Sequence, residues 1–146
     1  MPYTPTTGDR LLAAWLSLTS TLWNKRLVST LTYNEAHVLG ILLRAEDIAR
    51  VCTATTLIAQ TRLLKSQMNK LLTTLEGKGF IRRARSGEDK RIMLIHLTDT
   101  GRAAYLAEHE HIAGILSQLI DTLGEDRARA LTDGINEAVS ALEHIV

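Results

Sequence analysis

Residues 62–91 read RLLKSQMNKLLTTLEGKGFIRRARSGEDKR. Met68, Leu71, Leu72 and Leu75 fall at i, i+3, i+4 and i+7, the spacing of a helix with one apolar stripe that must face a core. On a helical wheel the opposite face carries Ser66, Lys70 and Thr73, flanked by Gln67, Asn69 and Thr74, a row of hydrogen-bonding groups without an acid. Gly77 and Gly79 are the expected stop, because glycine tolerates the left-handed residue that closes a helix. Phe80–Ala84 and Ile92–Leu97 then read as two strands around a turn at Ser86-Gly87-Glu88-Asp89, a hairpin with arginines on both arms. Leu64, at the position before the helix, offers no capping side chain, so the start is expected toward Ser66.

Charge sharpens the picture. This stretch holds nine Lys or Arg and three acids, residues 1–61 hold five and four, and residues 92–146 hold three and nine. The formal net charge of +1 thus hides a local balance of +6. Clustered cations are what a polyphosphate partner requires, because each one placed on a phosphate releases condensed counterions.

The 146 residues fit one domain with a real core. With 45% hydrophobic and 23% charged residues the composition is that of a soluble globular protein, and two prolines, both by residue 5, leave the interior free to be helical. Apolar runs stop at four or five residues, short of the roughly 20 needed to span a bilayer, and there is no secretory pattern at the N-terminus. The expected location is the cytoplasm, with no membrane partner. The single cysteine, Cys52, excludes an intramolecular disulfide and is read as a buried, inert thiol.

Elsewhere, Asp9 is a candidate N-cap for a first helix with Leu11, Leu12, Trp15, Leu18, Leu22 and Trp23, after a frayed Pro/Thr-rich start. Thr32-Tyr33-Asn34-Glu35 is a capping box opening a second helix, whose end within residues 44–51 has no breaker to mark it. Thr53 or Thr55 caps a short third helix with Leu57 and Ile58 inside. Thr98 caps a long fifth helix to about Leu123, and Gly124 separates it from a sixth over 125–146. Apolar positions on these last two helices, among them Ile115, Leu119, Leu131, Ile135 and Val139, exceed what one small head would cover, which points to a second subunit.

Short helix, turn, polar-faced helix and basic hairpin make a mainly α winged helix-turn-helix, whose second helix enters the major groove. With FIRRARSGEDKRIMLIHLTDTGR (80–102) in view, the chain resembles the MarR family of bacterial transcription regulators. Leu75-Glu76-x-x-Gly79, the wing tip Asp89-Lys90-Arg91 and Leu97-Thr98-x-x-Gly101 carry the resemblance. It implies a single domain over 1–146, with a DNA-binding core at 31–98 and dimerisation helices at 9–30 and 99–146. It also implies a homodimeric repressor on a palindromic operator in double-stranded DNA, relieved by a small-molecule effector. Carried over, Ser66, Gln67, Asn69, Lys70 and Thr73 lie on the groove-facing helix. Arg91 enters the minor groove with Asp89 holding the wing or an arginine, and Arg85 is the strand arginine assigned to phosphate. The ligand cleft implied by the family would involve Trp15, Tyr33, His37 or Tyr105, residues that equally suit core or interface.

Other chemistry is thinly supported. Glu108-His109-Glu110-His111 and His37 invite a zinc-responsive regulator of the same fold, but His109 has Ala113 and His111 has Ile115 at i+4, and the two histidines lie on different faces. No metal or cofactor is expected. There is no phosphate loop and no arguable catalytic triad, so no enzyme is expected. A winged-helix module for protein partners would lose the basic wing and expose apolar residues on the reading helix, and this chain does neither.

Overall fold

The computed structural model describes residues 2–24 and 27–146. Met1, Lys25 and Arg26 lie outside the described residues, so the expected dimerisation segment 9–30 is described except at those two positions. The order is α1 (Thr7–Asn24), α2 (Tyr33–Asp47), α3 (Ala54–Thr61), α4 (Lys65–Gly77), β1 (Ile81–Arg85), β2 (Met93–Leu97), α5 (Asp99–Leu123) and α6 (Glu125–Ile145). This is the expected mainly helical winged helix-turn-helix with a two-stranded antiparallel wing. The described residues up to His109 form one compact unit and Glu110–Val146 a second.

In the first unit the core is built by α2, α3, α4 and the wing. Val38, Leu39, Leu57, Met68, Leu72, Leu75 and Ile81 are all nearly or fully enclosed. Leu71, expected in the same stripe of α4, is half-buried, as is Ile58 on α3. Register pairs Ile81 with Leu97 and Arg83 with Ile95. Cys52 adds an isolated bridge, its carbonyl accepting from the Ile95 amide at 2.9 Å, so the segment before α3 lies against the wing as a third rung. The Cys52 thiol is buried, and burial pushes its pKa up.

Helix ends follow side-chain chemistry, with several corrections. Thr32 accepts from the Glu35 amide at 3.1 Å and Glu35 accepts from the Thr32 amide at 3.0 Å, the expected capping box. Thr53, and not Thr55, caps α3. Asp9 is not the cap of α1: Thr6 is, exchanging hydrogen bonds with Asp9 one turn inside, so the helix begins at Thr7 within the stretch expected to fray. The strands start one residue beyond the expected Phe80 and Ile92. Of the two glycines expected to stop α4, only Gly79 adopts a positive φ, +76°. The Phe80 amide bonds the Leu75 carbonyl and the Gly79 amide the Glu76 carbonyl, a closure in which the left-handed residue must be glycine or strained.

Thr98 caps α5, accepting from the Gly101 amide at 3.0 Å, while its hydroxyl donates to the Gly79 carbonyl at 2.6 Å. The motif ending α4 and the motif opening α5 are therefore one junction. Gly101 sits so tightly there that a Cβ would run into the Phe80 carbonyl, with Phe80 Cα 2.9 Å away.

α1 has no buried residue in the chain, leaving Leu11, Leu12, Trp15, Leu16 and Leu18 exposed. In the second unit, Gly124, at φ +88°, turns the end of α5 into α6. There Ile115, Leu116, Leu119, Ile120, Leu131, Ile135 and Val139 are exposed as well. No helix among the described residues is long and apolar enough to cross a membrane.

Candidate nucleic-acid interface

α4 starts at Lys65, not toward Ser66, with no side-chain cap from Leu64 but with Gln67 reaching back to the Leu64 amide. The Gln67 Oε1 accepts from the Leu64 amide at 2.9 Å and satisfies one of the amides that a helix start leaves unpaired. The stripe Met68, Leu72, Leu75 is buried, and Ser66, Gln67, Asn69, Lys70 and Thr73 are all exposed on the outward side. Not all are equally free. Gln67 has spent its oxygen on the cap and keeps its amide NH₂ as donor. Thr73 donates its hydroxyl to the Asn69 carbonyl at 2.9 Å, and Thr74 does the same to Lys70 at 3.0 Å. Ser66, Asn69 and Lys70 remain the uncommitted side chains of this face.

The wing is internally braced. Asp89 holds Arg91 through both oxygens, 3.1 Å to Nε and 3.2 Å to Nη2, and accepts its amide at 3.0 Å. The Arg91 side chain nevertheless stands 91% exposed. Hydrogen bonding from Arg91 holds the Asp89 carboxyl below the usual carboxylate range, so the pair stays charged. Arg85, assigned to phosphate from the sequence, donates Nη1 to the Lys90 carbonyl at 2.7 Å and so ties the tip of the wing.

Two further members of the basic patch are paired with acids. Arg83 forms a two-point contact with Glu76, both at 3.0 Å, which fastens β1 to the end of α4. Lys78 donates to the buried Glu35 at 2.6 Å. Lys65, Lys70, Arg82 and Lys90 are exposed. The candidate interface is thus a donor-rich helix face free of acids and a hairpin whose exposed Arg91 is held by Asp89.

Tyr33 stacks on Trp23 with ring centroids 6.0 Å apart, and its hydroxyl donates to the Leu22 carbonyl at 3.1 Å. These two aromatics line an open groove of about 310 Å³ with Val28, Ser29, Leu31 and Thr32. Trp15 is exposed on α1, His37 is exposed one turn after Tyr33 on α2, and Tyr105 packs its ring over Gly40 and against His109.

Sequence reasoning missed Glu108. It was weighed only as a neighbour of two histidines, yet its carboxylate is 1% exposed. It accepts from the Ser29, Thr30 and Leu31 amides and from the Thr30 hydroxyl at 2.7 Å. Burial alone would raise its pKa, but these donors bring it down to about 2. The residues that partner Glu108 lie 77 to 79 positions away, so no local pattern announces them.

A model of the MarR family matches residues 29–92. Among solved structures, the chain is similar to FabT of Streptococcus pneumoniae in complex with DNA, at 21% identity over 94% of this chain and 99% of that one, TM-score 0.79. It is similar to PcaV, a transcriptional regulator from Streptomyces coelicolor in complex with its natural ligand, at 22% identity over 97% and 99%, TM-score 0.77. The transcriptional repressor CouR, bound to a 23-mer DNA duplex, shares 26% identity over 92% of each chain, TM-score 0.74. No curated protein matches the sequence.

Proposed function

From a MarR-family winged helix at residues 29–92, we propose that this chain is a sequence-specific double-stranded DNA-binding transcriptional regulator, a cytoplasmic repressor acting as a homodimer on a palindromic operator. The observation that carries the reading is the outward face of α4, where Ser66, Asn69 and Lys70 are exposed without an acid among them, together with a hairpin whose Arg91 is braced by Asp89 and exposed. Asn pairs with adenine edges and Lys with guanine, and a guanidinium is favoured in a narrow, negative minor groove. We assign 31–98 to DNA binding, and 9–30 with 99–146 to dimerisation, where the exposed apolar residues of α1, α5 and α6 give a partner subunit something to cover.

A small-molecule effector is assigned to the groove beneath Trp23 and Tyr33. PcaV, similar in fold, is known with its natural ligand bound. A protein-binding winged helix is disfavoured because α4 shows no exposed large apolar residue between Lys65 and Gly77.

Selection of bound sequences from a random duplex pool tests the reading. Enriched sites should be inverted repeats with half-site centres roughly 10 base pairs apart and A/T-rich where each Arg91 enters. Selected sites without inverted symmetry, or no enrichment, would overturn it.

A further inference from the structure

Four consecutive residues between α1 and α2, Ser29 to Thr32, are held by two buried carboxylates. Glu108, from the first half of α5, takes the amides of Ser29, Thr30 and Leu31. The next amide, Thr32, goes to Glu35 at 3.0 Å. Glu35, 2% exposed, gives its other oxygen to Lys78 at 2.6 Å, immediately beyond the last turn of α4. A continuous polar line therefore runs from α5 through the loop at 29–32 and the start of α2 to the end of the reading helix. Lys78 belongs by sequence to the basic patch, but its ammonium points into this line.

Resting on the DNA-binding reading above, we propose that Glu108, Glu35 and Lys78 are positioning residues that fix the reading helix α4 for DNA, and that Lys78 is not a phosphate contact. A buried carboxylate with several donors permits one arrangement of its partners, because leaving any of them unpaired costs the desolvation of that group. Glu35 anchors α4 at its C-terminal end, the Glu76–Arg83 contact ties the same end to β1, and the N-terminal half of α4 carries Ser66, Asn69 and Lys70. A small rotation about a freed C-terminal end would displace those side chains from the base edges.

The two roles for Lys78 differ in salt response. A lost phosphate contact lowers the slope of log affinity against log salt by about one, whereas lost positioning lowers affinity at an unchanged slope. The test measures binding of the full-length chain and its variants to the selected duplex across a salt series, with melting temperatures recorded in parallel. Lys78→Met and Glu35→Gln are each expected to weaken binding on the order of tenfold without changing the slope, and Lys78→Arg to restore most of the affinity. Glu108→Gln should act in the same direction. Glu35→Gln is the sharpest arm, since removing a negative charge near phosphates would tighten binding if Glu35 merely neutralised a DNA-contacting lysine. Tighter binding by Glu35→Gln, a slope lowered by one in Lys78→Met, or unchanged affinity in Lys78→Met would each overturn the proposal. Should the carboxylate variants fail to fold, Lys78→Met still decides, because that side chain is 42% exposed and its replacement leaves no buried group in water's absence except Glu35, which Lys78→Arg re-pairs. A wild-type chain without salt-dependent DNA binding would instead remove the DNA-binding reading, and this inference with it.

Discussion

Asp89 grips Arg91 side-on with both carboxylate oxygens, at 3.1 and 3.2 Å, while leaving the guanidinium almost wholly in solvent. An exposed ion pair of this kind adds little to stability. Its effect is to restrict where a long side chain points, which would lower the entropy lost on entering the groove proposed for it.

Arg91→Ala is therefore expected to weaken DNA binding across sequences, leaving preference among sites largely intact, and to lower the salt slope by about one. Titrations against specific and scrambled duplexes at several salt concentrations measure both quantities. Unchanged affinity at moderate salt would remove the wing from the interface.

Lys70→Ala should act differently, relaxing preference at particular base pairs by about 1–3 kcal/mol. Gln67→Ala should also lower the melting temperature, because its Oε1 caps α4 through the Leu64 amide, a contact of about 1 kcal/mol by analogy with other caps. Thermal melts beside base-substitution series separate the two contributions.

The acid limb of stability should carry the signature of Glu108. Its pKa is lowered from an ordinary 4.5 to about 2 in the folded chain, so the stabilisation is complete above the unfolded value and drains away as pH falls from about 4.5 toward 2. The amount is on the order of 3 kcal/mol. Denaturant titrations of the native chain and Glu108→Gln should converge across this window, and parallel curves would refute the assignment.

Gly101→Ala should destabilise severely, by about 3 kcal/mol or more, since its Cβ has no room beside the Phe80 backbone. Gly77→Ala, whose Cβ meets nothing within 4 Å, is the control and should be neutral or mildly stabilising. Both are read by urea unfolding.

Light scattering at micromolar concentration should give about twice the 16.2 kDa chain mass. A monomer would remove the argument for a palindromic site.

The fold was legible where side chains act on their near neighbours. The stripe of α4, the Thr32 capping box and the Thr98 cap are all written within one or two turns of sequence, and each stands in the structure as read. Boundaries shifted where a residue had two local options, as when Asp9 proved to be the inner partner of a Thr6 cap, or when Gln67 capped its own helix. The candidate site was legible as an exposed surface but not as a set of hydrogen-bond commitments. Lys78, Arg83 and Arg85 count equally in a charge sum, and only the structure shows that they are bonded to Glu35, Glu76 and the Lys90 carbonyl respectively. Glu108 was illegible for the same reason: its donors come from backbone amides, which have no letter in the sequence.

The loop between α1 and α2 contains no regular structure from Ser29 to Thr32, yet each of its four amides donates to a carboxylate. In deuterium exchange, such amides are released only when the carboxylates let go, which requires opening the packed head and not the fraying of a surface turn. Protons at residues 29–32 should therefore persist as long as those of neighbouring α2, making this irregular segment one of the slow-exchanging stretches of the chain.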